Sequence, residues 1–224
     1  MKTIYGVSTN VPSNKKLKNG YTLYDLIMRQ KCFPSFWGRT LIGENAITSE
    51  EIEFLHAKDC KIAFIIRDLT EAQVSGMDGS AVALRATEAI KDLGVPENSG
   101  IVIFAEIKPE WSVNYLWMIS FAQTIFENGY RPGFIGNTDS SKNFCFDRHC
   151  SRFVYYTNSE NQFGAIYCAT EPKLNDIPED WSPYCPTELE SDQIDFWNCE
   201  TVFYGDIEVS DVYARNESVL KFLW

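Results

Sequence analysis

The sequence predicts a single α/β barrel of the (β/α)8 type, irregular in its last third, and three observations carry that prediction. Short apolar strands alternate with amphipathic segments along most of the 224 residues. Five consecutive strand–helix pairs imply a parallel sheet. Three further strand-like runs follow, enough to close eight strands. The rival is an open doubly wound sheet, but no GxGxxG follows the first strand and no GxxxxGKS or GxxxxGKT occurs anywhere, so its nucleotide-binding forms lack their usual support. The length fits one barrel domain over 1–224, and no repeat, low-complexity tract or linker divides it.

The elements follow in order. TIYGVS (3–8) reads as the first strand and precedes TLYDLIMRQ; SFWGRTL (35–41) precedes ITSEEIEFLHAKD; KIAFIIR (61–67) precedes GSAVALRATEAIKDLG. The second helix starts at Thr48 with Glu51 at capping-box spacing, and Ile47 and Ile52 are placed as a hydrophobic staple. The third helix brings Val82, Ala86, Ala89, Ile90 and Leu93 to one side, and Gly94 with Pro96 ends it. IVIFAEI (101–107) precedes a helix through SVNYLWMISFAQTIFENG, RPGFIGN (131–137) is the fifth strand, and a fifth helix falls within 140–158. GAIYCAT (164–170), QIDFWNC (193–199) and a segment around Gly205 to Asp211 complete the eight, with SVLKFLW closing as a helical turn. Residues 171–192 read as a Pro- and acid-rich loop.

Fifteen Phe, eleven Tyr and six Trp supply a large packed core. With 31 acidic against 20 basic residues the net charge is -11, which disfavours nucleic acid and anionic membrane surfaces as partners. No apolar run approaches the roughly 20 residues of a spanning helix. MKTIYGVSTNVP lacks the apolar core of a secretory signal, so a cytoplasmic location is the default expectation, with export by another route left open. Seven Cys without CxxC spacing and only two His do not resemble a metal site, and no metal or other cofactor is expected. Reduced, mostly buried thiols are the expectation. Cys145, Cys150 and His149 in FCFDRHC are neighbours in sequence, which does not make them a nucleophile and its base.

YGVSTNVPS, FPSFWGRTL, the ITSEEIEFLHAKDCKIAFII block, GSAVALRATEAIKDLGVPE, IVIFAEI and GYRPGFIGN, in this order, resemble the glycoside-hydrolase-like family of barrels known as domain of unknown function 1906, relatives of the family 25 lysozymes. The resemblance covers roughly residues 4–140. It implies an eight-stranded barrel and a peptidoglycan or related glycan as the ligand class. Lysozymes of this type are similar in carrying an acid at the end of strand one and Asp-x-Glu at the end of strand four. Here those positions hold Ser8, and Glu106 with Lys108. An ammonium at 108 cannot act as the proton donor of a two-carboxylate mechanism. A cation beside Glu106 also favours its ionised form, the opposite of what a general acid needs.

Barrels of this class place their chemistry at the C-terminal ends of the strands. The residues expected there are Ser8, Arg39, Arg67, Asp68, Glu106, Lys108, Asn137, Tyr167, Asn198 and Asp211. Three functions compete. In the first the mouth binds a glycan or small polar ligand through Ser8, Arg39, Arg67, Lys108, Asn137, Tyr167 and Asn198, with hydrolysis weak or absent. In the second Glu106 works with Asp68 or Asp211 as a glycosidase. In the third the mouth is filled and Arg39, Arg67, Glu106 and Asp211 pair with one another. Three cations at the mouth imply a preference for anionic sugars. Trp37, Trp111 and Trp197 are candidates for stacking on sugar rings, with core packing as the alternative.

Overall fold

The computed structural model describes residues 3–30, 33–157, 162–170 and 180–224. Eight strands close a barrel in sequence order: β1 (Ile4–Ser8), β2 (Phe36–Thr40), β3 (Lys61–Ile66), β4 (Val102–Glu106), β5 (Arg131–Gly136), β6 (Ile166–Thr170), β7 (Phe196–Tyr204) and β8 (Ile207–Ala214). Around it lie α1 (Leu23–Gln30), α2 (Ser49–His56), the short α3 (Glu71–Val74), α4 (Ser80–Asp92), α5 (Tyr115–Glu127) and α6 (Cys145–Tyr156). The expected (β/α)-type barrel is present, with its helices where the apolar periodicity puts them. α4 buries Val82, Ala83, Ala86 and Ile90 and stops before Gly94, whose φ of 83° is the left-handed conformation that ends helices.

The irregularity of the last third takes a definite form. β1 to β7 pair parallel to their neighbours, but β8 runs antiparallel to both β7 and β1. Its cause is local. Only Gly205 and Asp206 separate β7 from β8, and two residues can reverse a chain but cannot carry it back to the other end of the barrel. Gly205 takes φ 65°, the value that the first position of a type II′ hairpin turn requires. Of the Pro- and acid-rich loop, 171–179 lie outside the described residues.

Alternation divides each strand between two cores. Inward residues Phe36, Phe104 and Phe196 meet edge to face, with ring centroids 5.5 and 5.7 Å apart, and plug the middle of the barrel. They fit because Gly6 and Gly133 stand opposite; a Cβ on either would lie 2.5 Å from the ring of Phe36 or Phe104. Each fully buried Phe contributes roughly 1.5–3 kcal/mol. Below the plug, Ala214, Val219 and Leu223 fill the lower end, and Trp224 pairs with Ile62 of β3 through two backbone hydrogen bonds of 2.7 and 3.0 Å. Outward residues such as Trp37, Phe64, Ile103 and Phe134 pack against the helices.

Candidate functional site

Above the phenylalanine plug the barrel opens at the C-terminal ends of its parallel strands into a cavity of about 360 Å³. Its floor is apolar, with Phe36, Phe104, Phe196, Ile65 and Cys168 among its residues. Its upper ring is polar: Ser8, Thr9, Asn10, Arg67, Glu106, Lys108, Asn198, Glu208 and Ser210.

Arg67 organises this ring. It leaves β3 one residue past the strand end, on the inward side, and its guanidinium spans three neighbouring strand ends. Nε donates to Glu106 Oε2 at 2.8 Å. One terminal nitrogen donates to the Thr9 carbonyl at 3.1 Å and to Thr40 Oγ1 at 3.2 Å, and the other donates to Ser8 Oγ. Four of its five donors are therefore used within the protein. Glu106 remains 38% exposed and lines the cavity. The cation that holds Glu106 is thus Arg67. Lys108 lies elsewhere on the rim, its Nζ 5.3 Å from the ring centroid of Trp111.

Ser8, Arg67, Glu106, Lys108 and Asn198 come together at the mouth, and the other sequence candidates go elsewhere. Arg39 points outward from β2 and is 0% exposed. It makes a two-pronged contact with the buried Glu51 of α2 at 2.7 and 3.1 Å and donates to the carbonyls of Thr9 and Asn45. Burial lowers its pKa, and the Glu51 carboxylate opposes that shift. Glu51 also accepts from the Ser13 backbone N–H at 2.6 Å. Hence Thr48 caps α2 as its spacing suggests, accepting from Glu51 N, while the Glu51 side chain serves Arg39.

Asp68 faces away from the cavity and pairs with Arg85 of α4 at 2.9 Å. Asp211 is buried on the outward face of β8, where it accepts from Tyr5 Oη at 3.0 Å. Its expected place at a strand end assumed a parallel β8; in the antiparallel strand it lies within the wall. Tyr167 is outward on β6 and buried beneath the helices, and burial raises its pKa well above the ordinary value. Asn137 forms a local turn, accepting from Asp139 N at 2.9 Å. Trp37 stacks on Tyr24 and Trp197 meets Trp181, both in the core, so neither is available to a sugar. Trp111 is half-buried at the rim.

Sequence reasoning missed Glu208, Ser210, Thr9 and Asn10. Glu208 and Ser210 reach the mouth because an antiparallel β8 begins there, and the signal was the Gly-Asp pair between two alternating runs in TVFYGDIEV. Among the described residues no group of three His, Cys, Asp or Glu is placed to hold a metal ion, and no helix is long and apolar enough to cross a membrane. Among the described residues Cys60, Cys145, Cys150 and Cys168 carry free thiols; burial raises the Cys150 pKa, away from reactivity, and Cys145 Sγ lies 3.7 Å from the Val113 carbonyl.

The closed barrel with its reversed last strand has a fold shared with several solved structures, lysozymes among them. An uncharacterized protein of B. stearothermophilus shares it at TM-score 0.75 and 22% identity, over 99% of this chain and 100% of that one. A Tat-secreted protein of Mycobacterium tuberculosis in complex with L-tartrate matches at TM-score 0.59 and 11% identity, over 96% of each chain. A bacterial lysozyme from Streptomyces coelicolor matches at TM-score 0.56 and 8% identity, over 99% of this chain and 97% of that one. No protein-family model matches the chain, and no curated protein does.

Proposed function

We propose that this barrel binds a glycan of the peptidoglycan type, or a similar small polar ligand, at its mouth and hydrolyses it weakly or not at all. The carrying observation is the Arg67–Glu106 pair at 2.8 Å above an open cavity. A retaining or inverting glycosidase needs two carboxyl groups flanking the bond, one of them protonated near neutral pH. Here the carboxylate at the end of β4 is paired with a guanidinium, and Ser8 and Lys108 stand where the resemblance to domain of unknown function 1906 and the family 25 lysozymes leads one to expect acids. Asp68 and Asp211, the partners expected from sequence, are engaged away from the cavity. The open cavity in turn speaks against a filled, purely structural mouth.

The ligand expected from these groups differs from an anionic sugar. Arg39 is buried with Glu51, and Arg67 is paired with Glu106, which leaves Lys108 and Glu208 on a ring of hydroxyl and amide groups. Such a ring suits a neutral or zwitterionic polyol. The M. tuberculosis protein, solved with the dicarboxylate L-tartrate and with the zwitterion HEPES, supports a small polar ligand on this fold without choosing its charge. A peptidoglycan ligand would be met outside the cytoplasm, which the sequence reading did not expect.

The test is a paired assay on purified peptidoglycan. The wild type should bind muramidase-released fragments in calorimetry and leave the turbidity of intact sacculi unchanged, and Glu106→Gln should weaken the binding. Rapid clearing by the wild type, abolished in Glu106→Gln, would establish hydrolysis instead.

A further inference from the structure

β7 and β8 are longer than the barrel needs. β6 pairs with β7 only at Phe196 to Asn198, and β1 pairs with β8 only at Ser210 to Ala214. A bulge between Asn198 and Glu200 lets the two strands leave the wall. Beyond it the chain continues as a two-stranded ribbon, paired with itself up to the Gly205-Asp206 turn. The ribbon therefore stands above the rim on one side of the mouth.

Its two faces differ. One carries Val209, which is buried, with Tyr204 and Ile207, which pack against the outer core. The other faces the mouth. Ser210 and Glu208 line the cavity, and the residues directly opposite them are Thr201 and Phe203. Directly opposed residues of an antiparallel pair project from the same face; accordingly Thr201 Oγ1 and Ser210 Oγ lie 3.3 Å apart. Phe203 is thus on the cavity side, beside Glu208, yet it is 63% exposed. A large apolar ring adds nothing to the core there, while its strand neighbours are spent on packing.

We propose that Phe203 and Glu208 form a second ligand subsite, in which the ring stacks on the apolar face of a sugar and the carboxylate accepts hydrogen bonds from its hydroxyls. The inference rests on the reading of the mouth as a glycan site and extends it. The phenylalanine plug makes the cavity a dead end, so a chain whose terminal unit enters the pit must leave past the rim, and the ribbon is the wall that rises along that path. The subsite therefore takes the next unit of an oligosaccharide and discriminates by chain length.

Calorimetry with the muramidase-released disaccharide and tetrasaccharide of peptidoglycan tests this on the wild type, Phe203→Ala and Glu208→Gln. The wild type should prefer the tetrasaccharide. Phe203→Ala should lose roughly tenfold in affinity for it while changing disaccharide affinity little, a size set by typical aromatic contacts. Glu208→Gln, which alters a residue shared with the mouth, should weaken both fragments, and Phe203→Ala should melt with the wild type because its ring is exposed. Equal tetrasaccharide affinity in wild type and Phe203→Ala would overturn the subsite and leave the mouth reading standing. Failure of the wild type to bind either fragment would overturn both.

Discussion

The Thr9 carbonyl is held from both sides of the barrel wall, by Arg39 at 3.0 Å from the helix layer and by Arg67 at 3.1 Å from the mouth. The two guanidiniums resemble each other in sequence, each at a strand end, but their surroundings give them different tasks. Arg39 is sealed with Glu51, which is 1% exposed, and the pair closes β2 against α2. Removing one member of a buried pair strands the other as an unpaired charge, so Arg39→Met should cost about 3–5 kcal/mol in urea unfolding. Adding Glu51→Gln removes that charge and keeps an acceptor for Ser13 N–H; the double variant should regain at least about 1 kcal/mol. A double variant no more stable than Arg39→Met would show that packing, not the stranded carboxylate, sets the cost. Nothing in the one-dimensional pattern separates these arginines. The parity of a strand does: Arg39 shares its face with the core residue Trp37, whereas Arg67 falls on the face of Ala63 and Ile65 that lines the barrel.

Reversal of β8 is the element-level fact with the widest consequences. It brings Glu208 and Ser210 to the mouth, takes Asp211 into the wall, and sends the chain to the lower rim, where Arg215 N donates to the Asp195 carbonyl at 2.9 Å. The side chains of this pair approach to 3.7 Å. Burial raises the Asp195 pKa to about 6, against the opposing pull of Arg215, Arg131 and Lys221. Because the folded state holds this proton more tightly than the unfolded chain, stability from this group is greatest below about pH 4. It falls as pH rises to about 6 and is level above, an excursion of about 2–3 kcal/mol. Asp195→Asn has no charge to bury, so its stability relative to the wild type should improve between pH 4.5 and pH 7 in urea unfolding. A difference that stays constant over that range would mean that Asp195 ionises freely. The first six strands were legible because each is a clear apolar run before a helix or loop, and the seventh was read only as far as Cys199, short of its extension to Tyr204. The eighth was misread because its apolar pattern does not encode direction, and only the two-residue Gly-Asp connection does.

At the scale of the whole molecule, the barrel was legible since eight apolar runs of similar length leave few ways to bury both faces, while the mouth depended on which residue of each strand end points inward. That inward set now suggests how far the scaffold stands from a hydrolase. An Asp at position 8 would take the place of the hydroxyl that Arg67 already meets, giving the guanidinium two carboxylate partners. A Glu at position 108 would sit on the exposed rim near Trp111, apart from Arg67's own contacts, and a carboxyl beside an aromatic surface is the better placed of the three to hold a proton. Ser8→Asp with Lys108→Glu should therefore clear peptidoglycan sacculi measurably faster than the wild type, and adding Glu106→Gln should cancel the gain. Should the double variant fold, bind the released fragments as the wild type does and still leave turbidity unchanged, the missing chemistry would lie in the positioning of the sugar against the phenylalanine plug and not in the two substituted side chains.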